Sequence, residues 1–255
     1  MRVLLIASIT LLSVNCFAQS LVSARISSGV DMGLGIKKQQ LAPSIAYYQL
    51  LNVGEKRLFS FGYTIKLGTF YARNLDYITA PARLTRDKKG LASLGASLVP
   101  ANIDTVSFTN ISMTNLNLGL RVQVQLGPVQ LGASADVIGG GFGRRRTGRY
   151  QSSTGTFVVS SSGDKDSLAT FQGANANQSA SPANVNIRLL GDNNLGTLSS
   201  EVFARIIVNQ RIGIKVGYQW LTTGVSVRNR DTQANNNRFR NRTDFPYVAV
   251  TFPVF

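Results

Sequence analysis

The sequence predicts an all-β fold: an antiparallel up-and-down β-barrel that crosses a membrane with about eight strands. Three observations predict it. Several segments alternate apolar and polar residues for longer than a soluble strand needs, their connections alternate between tight and long, and the chain opens on an apolar leader.

The leader comes first. Arg2 supplies a positive start, and Val3 to Val14 is an apolar run too short to span a bilayer as a helix. Cys16-Phe17-Ala18 puts small residues where a signal peptidase reads, so residues 1–18 are expected to be cleaved and Gln19 to begin the mature chain. Asn15 is a poor fit to a lipid-attachment box at Cys16, and an uncleaved anchor would need a longer apolar run. Removing eighteen residues from 255 leaves 237, which suits one barrel domain, residues 19–255. The leader holds the single cysteine and the chain has no histidine. Disulfides, thiolate chemistry and His or Cys metal ligands are therefore excluded from the mature chain, and no metal or cofactor is expected.

The strands follow in order. Ile26, Val30, Met32, Leu34 and Ile36 oppose Arg25, Ser27, Gly29, Asp31 and Gly33. Ser44 to Leu51 is apolar at nearly every position and is assigned by its place. Phe59, Phe61, Tyr63, Ile65 and Leu67 oppose Ser60, Gly62, Thr64, Lys66 and Gly68. From Asn115 to Leu126 every even position is Leu or Val and every odd one is polar or Gly, sustained for twelve residues. Soluble strands average about half that length, whereas about nine to eleven residues cross a membrane at the barrel tilt. Val129 to Val137, Leu198 to Val208 and Ile212 to Trp220 repeat the alternation. Phe245 to Phe255 completes eight, with apolar residues on both faces.

The connections alternate. Asn52 to Glu55, Gly127-Pro128 and Asn209 to Arg211 read as tight turns. Lys37 to Pro43, Arg73 to Asp104, Gly143 to Thr197 and Gly224 to Asp244 read as longer polar loops. Short periplasmic turns with long extracellular loops are the barrel pattern, and an even count leaves both termini periplasmic. Within the longest loop, Thr156 to Ser160 and Val185 to Leu190 carry the β-propensity to pair as a hairpin.

At this point the chain resembles the small eight-stranded bacterial outer-membrane barrels, the class of outer membrane proteins A, X and W. Its Asn-, Ser- and Arg-rich loops are similar to those of Bacteroidetes-type barrels. The resemblance implies a Gram-negative outer membrane, reached by export through the inner membrane, and a terminal Phe255 read by the barrel assembly machinery. No peptidoglycan-binding domain is expected after Phe255. The enzymes of known barrel families rely on histidine, so the resemblance implies no enzymatic activity here.

Parity places Arg25, Asp31, Lys66, Arg121, Asp136, Glu201, Arg205 and Lys215 inside the barrel. Eight strands leave an interior just wide enough for side chains, so these are expected to form an ion-pair network rather than a passage. Acids among so many bases are poorly suited to general acid catalysis. Gly139 to Gly143 lacks the spacing of a phosphate loop and reads as a flexible rim. Arg144, Arg145, Arg146 and Arg149, with Arg228, Arg230, Arg238, Arg240 and Arg242, form two external basic clusters suited to phosphate. Tyr63, Tyr71, Tyr218 and Trp220 fit an aromatic girdle.

The 27 Lys and Arg exceed the 12 Asp and Glu by 15, and the loss of Arg2 leaves 26 against 12, or +14. An exported chain meets little nucleic acid, so the expected partner is anionic lipid, lipopolysaccharide above all. The expected function is a monomeric, non-enzymatic envelope protein whose basic loops contact lipopolysaccharide or extracellular ligands. The alternative is a narrow, porin-like passive channel for small solutes.

Overall fold

A computed structural model describes residues 25–54, 58–88, 92, 96–153, 155–159, 167–182, 185–187, 197–209 and 211–254. The expected leader and Phe255 lie outside the described residues. Among the described residues thirteen strands run in order: β1 (Ile26–Lys37), β2 (Gln40–Val53), β3 (Phe59–Thr79), β4 (Thr105–Leu126), β5 (Val129–Phe142), β6 (Arg146–Ser152), β7 (Thr156–Val159), β8 (Ser167–Thr170), β9 (Asn177–Pro182), β10 (Val185–Ile187), β11 (Leu198–Asn209), β12 (Ile212–Asp231) and β13 (Asn236–Val254).

Eight of them close a ring in the order β1-β2-β3-β4-β5-β11-β12-β13. The seam is a continuous antiparallel ladder between β1 and β13, from Ser28 opposite Val254 to Gly35 opposite Tyr247. These are the eight strands expected from the sequence, six from alternation and β2 and β13 from their place, and all are antiparallel to their neighbours. Along β4 the outward residues Leu116, Leu118, Leu120, Val122, Val124 and Leu126 are exposed, while Asn115, Asn117, Arg121 and Gln123 are buried. A water-facing wall would have the opposite pattern, so the solvent of this wall is lipid.

Above this band the polarity of the wall inverts. In β3 the inward residues are even-numbered up to Ala72, then become Leu75, Tyr77 and Thr79. In β4 they are Val106 and Phe108 above and Ile111 and Met113 below. Each strand makes the change with two successive exposed residues, Arg73-Asn74 and Thr109-Asn110, and Asn74 takes a positive φ of 49°. The extra residue keeps apolar side chains pointing inward once the outer wall meets water.

The extended strands close a second ring of six. β13 pairs directly with β3, Phe239 opposite Thr79. β3 continues to β4, β4 to β6, β6 to β9, β9 to β12, and β12 back to β13. Its interior is aromatic: Tyr150 stacks on Phe171 with centroids 4.4 Å apart and meets Phe239 edge-on at 5.5 Å. Phe157 lies 4.7 Å from Phe171, so the hairpin β7–β8 closes the outer end with its own side chains.

Much of what reads as loop is therefore strand. Lys37 to Pro43 is a tight hairpin turning at Lys38-Gln39, with Gln39 at a φ of 61°. Gly224 to Asp244 is almost wholly β12 and β13, and Arg73 to Asp104 contributes seven residues to β3. Thr156–Val159 pairs with Ser167–Thr170, and Val185–Ile187 pairs with β5, so the two do not form a hairpin with each other. Gly139 to Phe142 belongs to β5 rather than to a flexible rim. A Cβ at Gly139 would strike the carbonyl of Thr197, which explains the glycine at that close approach.

Candidate functional site

Seven of the eight ionisable residues that parity places inside the barrel are buried there; Arg25 is exposed, in a turn just before β1 begins, and takes no part. The alternation holds only while the strand lasts, so a residue beyond its end is not held inward.

The seven form one connected system. Asp31 accepts hydrogen bonds from Arg121 Nη1 at 2.8 Å, Lys215 Nζ at 3.0 Å and Thr251 Oγ1 at 2.6 Å. Lys215 also donates to Glu201 Oε1 at 2.6 Å, and Lys66 reaches Glu201 Oε2 at 3.5 Å and Ser199 at 3.1 Å. Asp136 accepts from Asn117 Nδ2 and from both the backbone and hydroxyl of Ser199, each at 2.6 Å. Arg205 donates to the Tyr48 hydroxyl at 2.7 Å and Gln123 at 3.0 Å, and lies 3.8 Å from Asp31.

Aromatic rings fill the space between the charges. The Arg121 guanidinium lies 4.1 Å from the Tyr48 ring centre and 4.5 Å from that of Phe203, and Lys215 Nζ is 4.2 Å from the Phe203 centre. Arg121 Nε and Nη2 find no acceptor among the described residues, and the two π-faces cover the guanidinium instead. Four cations face three carboxylates in the described lumen, leaving one positive charge in excess. Tyr48 and Phe203 are not evident in the sequence as parts of this network: Tyr48 stands in a segment apolar on both faces, and Phe203 is a lone aromatic on a polar parity.

Every carboxylate here is held by at least two donors, and the side chains around it are buried. Directly above this network, along the same axis, pack the buried apolar and aromatic side chains of the upper ring.

A filled polar lumen, a closed seam and an outward apolar belt together decide the class. This is a transmembrane barrel of the outer-membrane type. No family model matches the chain, and no curated protein matches it. Among solved structures the barrel is similar to Neisserial surface protein A, at 10% identity over 90% of this chain and 96% of that one, with a TM-score of 0.37. It is also similar to the Yersinia pestis outer membrane protein Ail in a phospholipid bilayer nanodisc, at 7% identity, 89% and 98% coverage and a TM-score of 0.34. A third similar structure is the Escherichia coli outer membrane protease OmpT, at 9% identity, 90% and 92% coverage and a TM-score of 0.29. The register and the belt, rather than these likenesses, establish the barrel.

The basic surface divides in two. Arg144, Arg145 and Arg146 are exposed where the barrel leaves the belt, near the height of Lys37 and Tyr71, and Arg149 is exposed about five residues further out, opposite Ser107 and level with Asp76. Arg228, Arg230 and Arg242 are exposed on β12 and β13, and Arg238 is half-buried. Arg240 departs from expectation: it is buried where β13 meets Ile78 of β3, a pairing that no loop reading anticipates. Tyr71, Tyr218 and Trp220 point outward at the outer edge of the belt and Tyr63 near its inner edge. Asp244 bridges two of the rim residues, accepting from Tyr218 and from Lys37.

Proposed function

We propose that this is an exported, non-conducting and non-enzymatic outer-membrane barrel whose working surface is its basic outer wall, turned toward anionic lipopolysaccharide. In this reading residues 1–18 are a cleaved leader, residues 19–255 fold as one monomeric domain, and Phe255 serves the assembly machinery. The observation that carries it is the double closure of the axis. With the lumen filled by the Asp31-Arg121-Lys215-Glu201-Lys66 network and, above it, by aromatic side chains, activity must lie on the outside. There the exposed Arg144, Arg145 and Arg146 stand at the belt edge, where a dense layer of lipid phosphate begins, and guanidinium pairs bidentately with phosphate. The carboxylates support the non-catalytic part, since each is saturated with donors in the lumen.

The test is equilibrium binding of the full mature chain, in zwitterionic detergent, to a phosphorylated outer-leaflet glycolipid and to its dephosphorylated form. The expected outcome is a clear preference for the phosphorylated lipid that weakens as salt rises, because exposed charges are screened. Equal retention of both lipids would overturn the reading.

A further inference from the structure

We infer that the notch beside the short β1–β2 hairpin is a binding site for one acylated, phosphorylated glycolipid molecule of the outer leaflet. The inference rests on the lipid-facing reading of the basic wall and narrows it to named residues.

The notch follows from the topology. β1 and β2 turn back at Lys38-Gln39, whereas β3 and β4 continue upward and β13 crosses to pair with β3 above the hairpin. The hairpin is thus a low step in the wall. Beside it lies a groove of about 650 Å³ whose polar lining includes Lys37, Gln40, Arg73, Asn110, Ser112 and Arg146. Leu41, Tyr71 and Ile111 line it as well, so the groove has an apolar side.

The charged residues that line it are all cations, Lys37, Arg73 and Arg146. Arg73 and Arg146 are exposed, and Arg146 Nη2 is 3.5 Å from the Ser112 hydroxyl. Lys37 pairs with Asp244 at 3.2 Å, both side chains remaining two-fifths exposed, so that pair is open to an incoming anion. Two guanidinium forks and one ammonium converge with an amide of Asn110 and a hydroxyl of Ser112. That set suits phosphate esters on a sugar: forks for the phosphates, amide and hydroxyl for the ring oxygens.

Directly beneath, the same strands form an apolar trough. A depression of about 590 Å³ on the lipid side is lined by Met32, Leu34, Pro43, Ile45, Leu67 and Val250, among others. On β2 the groove reaches Leu41 and the trough begins at Pro43; on β3 the corresponding residues are Tyr71 and Thr69. Two residues of strand are about 7 Å, so head-group groove and acyl trough lie end to end. A free sugar phosphate would leave the trough empty, and an uncharged lipid would leave the cations unmet. The Arg228 and Arg230 cluster cannot serve as the same site. It lies eight and ten residues beyond Trp220 on β12, about 20 Å above the belt edge after allowing for strand tilt.

The test uses the full mature chain in detergent micelles, titrated with a diphosphorylated, acylated glucosamine disaccharide and followed by native mass spectrometry. The expected result is one lipid per chain, with at least tenfold weaker binding for the dephosphorylated lipid and for the deacylated sugar phosphate. Inorganic phosphate at millimolar concentration is expected not to compete. R73E/R146E is expected to weaken the acylated lipid at least tenfold, and R228E/R230E to change it less than twofold. T69W, which fills the trough, is expected to weaken the acylated lipid and leave the deacylated one unchanged. All three variants alter exposed or half-exposed side chains, and an unchanged unfolding midpoint verifies their fold. If wild type fails to distinguish the phosphorylated lipid from its dephosphorylated form, the functional reading falls and the site falls with it. If it does distinguish them but R73E/R146E binds within twofold of wild type, or R228E/R230E weakens binding equally, the site alone is refuted.

Discussion

Asp31 is the acceptor on which the lumen depends, and replacing it with asparagine tests that dependence. The carboxylate is fully buried and takes hydrogen bonds from Arg121, Lys215 and Thr251, with Arg205 at 3.8 Å. In Asp31→Asn, Lys215 keeps Glu201, but Arg121 loses the carboxylate it donates to. The described lumen then holds four cations against two carboxylates, doubling its excess charge from +1 to +2. Removing one partner of a buried ion pair costs about 3–5 kcal/mol, mostly through the charge left behind. The assay is urea unfolding of the chain in lipid vesicles, followed by fluorescence of Trp220, the single tryptophan. With a slope of about 2–3 kcal/mol/M, the midpoint is expected to fall by about 1–2 M. Adding Arg121→Leu removes the orphaned cation, so the double variant is expected to recover more than half of the loss. A single variant within about 0.5 kcal/mol of wild type, a typical surface effect, would refute the network's structural role.

Three further outcomes follow from the same structure. A Cβ at Gly33 would fall on the Tyr247 phenol, so Gly33→Val is expected to destabilise the barrel by about 1–3 kcal/mol, with Tyr247→Ala relieving part of it; an unchanged midpoint would show that Gly33 does not face the lumen. Phe239→Ala removes a fully buried ring from the upper core at a cost of about 3–5 kcal/mol, and limited proteolysis is expected to cut residues 143–197 faster while the lipid-embedded strands stay protected. The Asp104 carboxyl is held above its ordinary value, first by burial and then by the nearby negative charge of Asp231. A raised folded-state value favours the protonated folded form, so the upper ring is expected to lose stability as pH rises from 3.8 through the raised value. Asp104→Asn is expected to flatten that loss, and an unaltered pH profile in the variant would contradict the assignment.

The lower barrel was legible in the sequence because lipid imposes two strict demands on a strand, enough length to cross and apolar residues on one parity. Leu116 to Leu126 satisfies both without exception. Segments that escaped parity are those where the lumen itself is bulky and apolar: Tyr48 and Leu50 in β2, Phe245 and Tyr247 in β13, all inward and buried. There the interior needs bulk to fill space around the cations, so polarity no longer marks the inner face. The upper ring was not legible for a different reason. Above the belt the outside is water, the polar and apolar faces exchange, and single extra residues such as Asn74 break the period at the crossing. A strand of twenty-one residues then looks like a strand followed by a polar loop. The lumen ions were readable from parity; the rim notch was not, because Lys37 and Arg73 fall in stretches that read as loop and come together only through the β1–β2 and β2–β3 registers.

The claim on which the rest depends is that the axis of the barrel is blocked twice. Planar-bilayer recording on the purified mature chain addresses it directly. The account predicts that insertion leaves the membrane without a stable open level at moderate voltage, whatever the salt. A steady, reproducible ohmic conductance from the monomeric barrel would contradict it.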